Sequence, residues 1–394
     1  MHETELVNQG AYGCLYYPGM NCNGKTMDNL HYATKLVVHD EMAENEVTVG
    51  NIVKGIVNYG VNFVPVIDTC VVGLEKVRRH NPHALTKCEI APTQKKKKKK
   101  QDQNQKKIPT PKFMLMKMPY IDSLYFYEYV NAMGNNKKKI ISCIFDTYSY
   151  LIESIERLGE HAVVHYDLKM QNILMNLKTD MPIIIDFGLS IPMGHHGNLE
   201  DAFWTTYFYK YSPDYYVWPL EAHVVNFLQD SPSQSLSRDD VVSICETFVS
   251  ANVALRIFSK GFRTRYLQAC IAQYDPWIGV ARSAVRTALL MKGWRTWDNY
   301  SLSIAYLQII GFIAETGFTN NHLIVQYVQL LLTNVHPDPE QRKTVGDTKR
   351  TFTELFYMNE RVDTYDSLVE IFNADMFADN TVALSRSLVR PISK

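Results

Sequence analysis

From Leu6 to about Asp68 the apolar positions recur at short spacing among Val, Tyr and Gly, the pattern of a β-rich segment broken by one helix. Tyr32 to Val38 is predicted as a strand. From Asp40 to Val57 the period lengthens: Glu41, Glu44 and Glu46 alternate with Val47, Val49, Ile52, Val53 and Ile56 at helical spacing, and Asp40 suits the N-cap. Strand character returns at Phe113-Met114-Leu115-Met116. The remainder is helix-rich, interrupted by short apolar runs around Val163 and at Ile183-Ile184-Ile185 that suit buried strands. Ser237-Arg238-Asp239-Asp240 precedes an apolar helical pattern and reads as a helix start. Leu302 to Phe318 is the most apolar long stretch. It contains Gln308, Gly311 and Glu315, so it predicts a buried core helix rather than a membrane span, and no membrane is expected as a partner.

Residues 75 to about 112 break this rhythm. Lys95 to Lys100 is an unbroken lysine run, followed by Gln101-Asp102-Gln103-Asn104-Gln105-Lys106-Lys107. Such a tract cannot bury apolar surface, and it is expected to be a disordered, solvated insertion between two strands. A nuclear address or a weak nucleic-acid contact is the other use of such a run. No other nucleic-acid contact is expected.

The chain has 394 residues, enough for two or three domain-sized units or one large two-lobed fold. Hydrophobic residues make up 46 %, enough for a substantial core. Lys plus Arg and Asp plus Glu both number 41, so net charge selects no partner. Seven cysteines, an odd number without a C-x-x-C pair, suit a reducing interior better than a disulfide framework. Met1-His2-Glu3-Thr4-Glu5 is polar and acidic, so no signal peptide is expected.

The chemistry concentrates in His165-Tyr166-Asp167-Leu168-Lys169-Met170-Gln171-Asn172 and in Asp186-Phe187-Gly188, which follows the second apolar run. The two segments supply a carboxylate able to take a proton, a lysine able to meet a phosphate, and an Asn/Asp pair able to hold Mg²⁺. These are the parts that phosphoryl transfer uses. Together they resemble the catalytic and metal-binding loops of eukaryotic-type protein kinases.

That resemblance implies a two-lobed α+β kinase fold. A small β-rich lobe would span residues 1–116, with the Lys-rich insertion at about 75–112, and a mainly helical lobe would span 117–394, with ATP in the cleft. It implies Asp167 as catalytic base, Lys169 as the group meeting charge on the transferred phosphoryl, and Asn172 and Asp186 as Mg²⁺ ligands. Asn8-Gln9-Gly10-Ala11-Tyr12-Gly13-Cys14-Leu15 resembles the glycine-rich loop over the nucleotide, with Asn8 where relatives carry a first glycine. Asn8, Gly10, Ala11, Tyr12, Gly13 and Leu15 are therefore candidate nucleotide contacts. Tyr32-Ala33-Thr34-Lys35 resembles the strand ending in the nucleotide-contacting lysine. Glu46 is chosen as its helical partner because Val49 and Val53 would share its face, with Glu44 as second choice. Gly50, one turn later, stands where relatives place a larger apolar residue.

Tyr166 replaces the arginine that in relatives receives an activation-segment phosphate, which implies activity independent of that phosphate. Asp167-Leu168-Lys169 followed by Asn172 resembles the Ser/Thr-directed form of the loop. Ser212-Pro213-Asp214-Tyr215 resembles the substrate-facing end of the activation segment, with Ser212 in the place of its threonine. Pro219-Leu220-Glu221 resembles the closing motif, whose glutamate would pair with Arg342. Asp298 would hold the catalytic-loop backbone, which leaves a helical insertion at about 222–293 as extra packing or a docking surface for a partner. These features resemble protein kinases of large cytoplasmic DNA viruses. Protein substrates, ATP and Mg²⁺ are implied, with a host-cytoplasm or virion location. A nucleotide-binding scaffold without activity and a small-molecule phosphotransferase are the alternatives.

Overall fold

Short β-branched and aromatic runs in the N-terminal part pair into one antiparallel sheet. Its strands are β1 (Glu5–Gly10), β2 (Gly13–Tyr17), β3 (Tyr32–Val38), β4 (Asp68–Val72) and β5 (Phe113–Pro119), in the order β1-β2-β3-β5-β4. This computed structural model describes residues 3–10, 13–91, 111–195, 199–314, 321–357, 366, 368–370 and 372–387. The chain divides into two units, residues 1–123 with 185–189 and residues 124–184 with 190–389. The break expected after Met116 thus falls after Ser123, and the segment carrying Asp186 joins the first unit.

A strand sends alternate side chains to opposite faces. On β3, Ala33, Lys35 and Val37 take one face and Leu36 the other, and the register sets Leu15 and Met116 opposite Lys35. Helix α1 (Glu41–Lys54) covers the Lys35 face. It starts where Asp40 accepts a hydrogen bond from the Ala43 N–H at 3.1 Å, and it buries Ala43, Glu46, Val49, Gly50 and Val53. Val37, Met114 and Met116 pack there with Ala43 and Val66. Gly50 has a steric reason: a Cβ on it would lie 2.9 Å from the Val66 carbonyl oxygen. Helix and chain approach too closely at that point for any side chain.

The other face carries Cys14, Tyr16, Leu36, Phe113 and Leu115, and it too has to be covered. The cover comes from residues 74–91: Leu74 and Val77 of helix α2 (Leu74–His80), then Ala84, Leu85, Cys88 and Ala91. The expectation of a structureless tract over 75–112 is therefore wrong for residues 75–91. Residues 92–110, with Lys95 to Lys100, lie outside the described residues. The Tyr16 hydroxyl donates to the Ala84 carbonyl at 3.0 Å. The cover also brings cysteines together: Cys14 bonds Cys88 and Cys22 bonds Cys70, with Cα atoms 5.9 and 5.8 Å apart. This corrects the expectation of unpaired cysteines. Closing loops with separations of 74 and 48 residues is worth about 4 kcal/mol each in chain entropy. Disulfides persist in oxidising surroundings, so the cysteine argument for a reducing compartment no longer holds.

The second unit is mostly helical. Helix Lys137–Glu160 starts at Asn136, which caps the Lys139 N–H at 3.1 Å, and buries Ile140, Ile141, Ile144, Phe145, Tyr148, Leu151 and Ile155 at helical spacing. Its neighbours include helix Val345–Phe356 and helix Trp297–Ala314. The latter is buried along Leu302, Ile304, Tyr306, Leu307, Ile309 and Ile310. Among the described residues no helix is long and apolar enough to cross a membrane. Residues 222–293 are largely helical: Leu220–Asp230, Arg238–Ala251 with its Ser237–Asp240 capping box, Lys260–Tyr274 and Arg282–Gly293. Two short strand pairs, Val163–Val164 with Ile191–Pro192 and Ile173–Asn176 with Pro182–Ile184, frame the loop 165–172.

The Gly50 contact has a measurable consequence. Gly50→Ala ordinarily gains up to about 1 kcal/mol inside a helix. Here the methyl group meets backbone, so the variant is expected to lose roughly 1 kcal/mol or more in a urea titration. A gain in stability would show that the close approach at Val66 does not exist.

Candidate active site

The candidate residues fall into two sets, one in each unit. In the first, Lys35 projects from β3, the middle strand of the sheet, and α1 presents Glu46 to it. The Lys35 ammonium donates to Glu46 Oε1 at 3.0 Å and Oε2 at 2.9 Å, and to Asp186 Oδ1 at 3.1 Å. Side-chain exposure is 16 % for Lys35, 8 % for Glu46 and 41 % for Asp186, so only Asp186 opens appreciably to solvent. Glu44 points elsewhere and meets His39. Burial lowers the Lys35 pKa, but the charges of Asp186 and Glu46 outweigh it and hold the ammonium above its usual range. Burial and then the Asp186 charge push Glu46 upward, against the pull of Lys35. Two carboxylates thus share one cation, a surplus of negative charge that a divalent cation would balance.

Asp186 has φ of 66°, left-handed backbone that a non-glycine residue adopts at a cost. Its segment is held in place: Asn45 Nδ2 donates to the Gly188 carbonyl at 3.4 Å, and Phe187 meets the Phe63 ring edge-on. In the hairpin, Gly10 pairs with Gly13, and Leu15 lies opposite Lys35. A Cβ on Gly13 would strike the Leu36 carbonyl oxygen at 2.9 Å, whereas one on Gly10 would meet nothing within 4 Å. Gly13 is therefore needed for packing, whereas the described residues leave open space beside Gly10. Asn8 is exposed, and its Oδ1 accepts from the Gln9 N–H at 2.8 Å. Ala11 and Tyr12 lie outside the described residues.

In the second unit the loop 165–172 hangs on Asp298. Its carboxylate accepts from the His165 N–H at 2.7 Å and the Tyr166 N–H at 3.0 Å. Burial raises the Asp298 pKa, while His165 and the two N–H groups oppose that rise. Tyr166 has φ of 64°, and Asp167 follows it directly. Lys169 Nζ donates to Asp167 Oδ1 at 2.9 Å and Oδ2 at 3.1 Å. Asn172 Nδ2 donates to Asp167 Oδ2 at 2.9 Å and to the Asp167 carbonyl at 2.8 Å. One network thus joins the candidate base, the lysine and the amide.

Mg²⁺ takes hard oxygen donors and keeps waters and phosphate oxygens around it. Because the Asn172 amide nitrogen is committed to Asp167, the amide oxygen is the atom left to face a cation. The half-exposed Asp186 supplies a carboxylate. Among the described residues no cluster of three or more His, Cys, Asp or Glu side chains forms a metal site of its own. The Asn172 amide oxygen and the Asp186 carboxylate, one in each unit, are each by themselves a hard oxygen donor of the kind Mg²⁺ takes beside phosphate oxygens.

Around the loop the packing is aromatic. Tyr166 is buried, stacks on Trp218 with centroids 4.8 Å apart and meets Trp297 and Phe208; its hydroxyl accepts from Asn226 Nδ2 at 3.0 Å. The surroundings of Tyr166 are filled by rings. Glu221 and Arg342 form a two-pronged pair at 2.6 and 2.9 Å, with side chains 0 % and 1 % exposed. Trp297 Nε1 adds a bond to Glu221 at 2.9 Å, and Arg342 Nε donates to the His336 carbonyl at 2.8 Å. Removing one partner from such a pair costs about 3–5 kcal/mol.

Two residues escaped the sequence reading. Tyr215, not Ser212, reaches the site: its hydroxyl donates to Asp167 Oδ1 and accepts from Lys169 Nζ at 3.0 Å. The turn in which the Ser212 carbonyl accepts from the Tyr215 N–H at 3.0 Å directs it there, and only that Ser-Pro-Asp-Tyr turn hinted at it. The other is His223, wholly buried on the helix that carries Glu221.

A family model described as the protein kinase domain matches residues 89–214. The match includes Asp167, Lys169, Asn172, Asp186 and Ser212 and leaves out Lys35, Glu46, Glu221, Asp298 and Arg342. No curated protein matches the chain. The match supports a eukaryotic-type protein kinase, and so phosphoryl transfer to proteins in general. A β-sheet unit ahead of a mostly helical one is consistent with a two-lobed kinase fold.

His223 generates a pH prediction. Burial lowers its imidazole from 6.5 to about 4; neither ring nitrogen makes a side-chain hydrogen bond, and the backbone at Trp218 and Tyr215 opposes the shift only in part. The unfolded chain takes up a proton near 6.5 that the folded chain refuses until about 4. The stabilisation is complete above pH 6.5 and is lost as pH falls toward 4, roughly 3 kcal/mol in all. Urea midpoints taken over that range should fall more steeply for the wild type than for His223→Phe. Equal slopes would contradict a neutral buried ring.

Proposed function

We propose that this chain is a protein kinase that transfers the γ-phosphoryl group of ATP to serine and threonine hydroxyls of proteins, with Mg²⁺. The observation that carries the reading is the single network of Asp167, Lys169 and Asn172, held from behind by Asp298. Asp167 orients the acceptor hydroxyl and takes its proton. Lys169, already beside Asp167, meets the negative charge on the group in transfer. Lys35, fixed by Glu46, binds the nucleotide phosphates, and Asn8, Gly10, Ala11, Tyr12, Gly13 and Leu15 are the proposed nucleotide contacts. Asn172 and Asp186 would hold Mg²⁺, whose chemistry is to neutralise phosphate oxygens. Positioning and electrostatics supply most of such catalysis, because the protein does little covalent work.

Serine/threonine preference rests on Lys169 two positions after Asp167. The likeness to kinases of large cytoplasmic DNA viruses, with a host-cytoplasm or virion location, belongs to the same proposal. The aromatic filling around Tyr166 supports activity without an activation-segment phosphate, since ring stacking does the anchoring.

The test is transfer of labelled γ-phosphate from ATP to generic protein substrates by wild type, Asp167→Asn and Lys35→Met. Wild type should transfer at least ~100-fold faster than either variant, on the scale at which general-base loss is felt, with label on serine and threonine. Phosphatase treatment beforehand should leave that rate intact. Equal rates in all three proteins would remove the enzyme reading, label on tyrosine alone would remove the specificity, and a phosphatase-sensitive rate would remove the regulatory part.

A further inference from the structure

An ionised carboxylate has about four hydrogen-bonding places, two on each oxygen. On Asp167 all are taken. Lys169 Nζ bonds both oxygens, at 2.9 and 3.1 Å, Asn172 Nδ2 takes Oδ2 at 2.9 Å, and the Tyr215 hydroxyl takes the remaining place on Oδ1. A general base has to come within about 2.6–3.2 Å of the hydroxyl that it deprotonates. The hydroxyl found on Asp167 belongs to the chain itself.

This phenol is fixed from several sides. The Ser212–Tyr215 turn sets its backbone. Its ring meets the Trp218 indole edge-on with centroids 5.0 Å apart, and Trp218 Nε1 is in turn tied to the Tyr166 carbonyl at 2.8 Å. Lys169 Nζ lies 5.4 Å from the ring centroid, at the range of a cation–π contact, and donates to the phenol oxygen at 3.0 Å.

We infer that the Tyr215 hydroxyl holds the place of the acceptor hydroxyl on Asp167, so that a protein substrate is phosphorylated only by displacing it. The catalytic consequence rests on the proposed kinase reading; the contact does not. While the phenol is seated, water is kept from the base, and ATP without an acceptor is spared. An acceptor has to replace a hydrogen bond to a charged group, which is worth roughly tenfold or more in an equilibrium. Only substrates with enough contacts of their own succeed, which makes Tyr215 a specificity-determining residue.

Tyr215→Phe keeps the ring against Trp218 and removes only the hydroxyl. With a serine peptide as acceptor, KM is expected to fall roughly tenfold, and acceptor-independent ATP hydrolysis to rise several-fold. A tenfold fall in kcat with KM unmoved and no rise in hydrolysis would overturn the inference, because Tyr215 would then position the base. A second measurement is independent of activity. In a chain carrying 3-fluorotyrosine at position 215, the ¹⁹F resonance should move on Asp167→Ala, and in the unsubstituted background on saturation with the serine peptide but not with its alanine analogue. A resonance indifferent to either change sinks the inference even if phosphate is transferred. Absence of transfer from every variant refutes the kinase reading instead, and displacement of the phenol is still read from the resonance.

Discussion

The second unit's chemistry depends on one buried carboxylate. Asp298 takes the N–H groups of His165 and Tyr166, and with them holds the left-handed backbone at Tyr166 that a tyrosine would not choose alone. Asp167 is placed by that turn, and Lys169 and Asn172 are placed by Asp167. The arrangement is costly to assemble, since burial works against the charge on Asp298. It persists because two backbone donors, the aromatic packing of Tyr166 on Trp218 and Trp297, and the Glu221–Arg342 pair behind them all constrain the same region.

The ion pairs divide by burial. Lys292–Glu340, with side chains 43 % and 59 % exposed, contributes little. Glu221–Arg342 is dry, and each partner exists in that setting only because of the other. Lys35 with Glu46 and Asp186 lies between these cases: it is closed on the Glu46 side and open to solvent at Asp186.

Much of this was legible in the sequence because it is local. The spacing of Glu46 to Val49 and Val53 put the carboxylate on the buried face of one helix, and the run from His165 to Asn172 carries its chemistry within eight positions. What was not legible is what depends on distant surfaces. Residues 74–91 look like the start of a lysine-rich tract until the sheet shows a second apolar face that needs Leu74, Val77 and Leu85. Cys14 and Cys88 pair because that cover exists, and nothing in their spacing announces it. Gly50 makes sense only beside the Val66 backbone, and Tyr215 only beside Asp167.

The most direct measurement of the central claim is single-turnover phosphoryl transfer by Asp298→Asn, alongside its urea midpoint and its affinity for Mg²⁺-ATP. Asparagine keeps one acceptor and turns an NH₂ group toward the second backbone N–H. If Asp298 places the base, transfer falls by about 100-fold, the cost of a small misplacement, while the chain stays folded and its affinity for Mg²⁺-ATP is unchanged. A folded variant that transfers phosphate within a few-fold of the wild type would contradict the account.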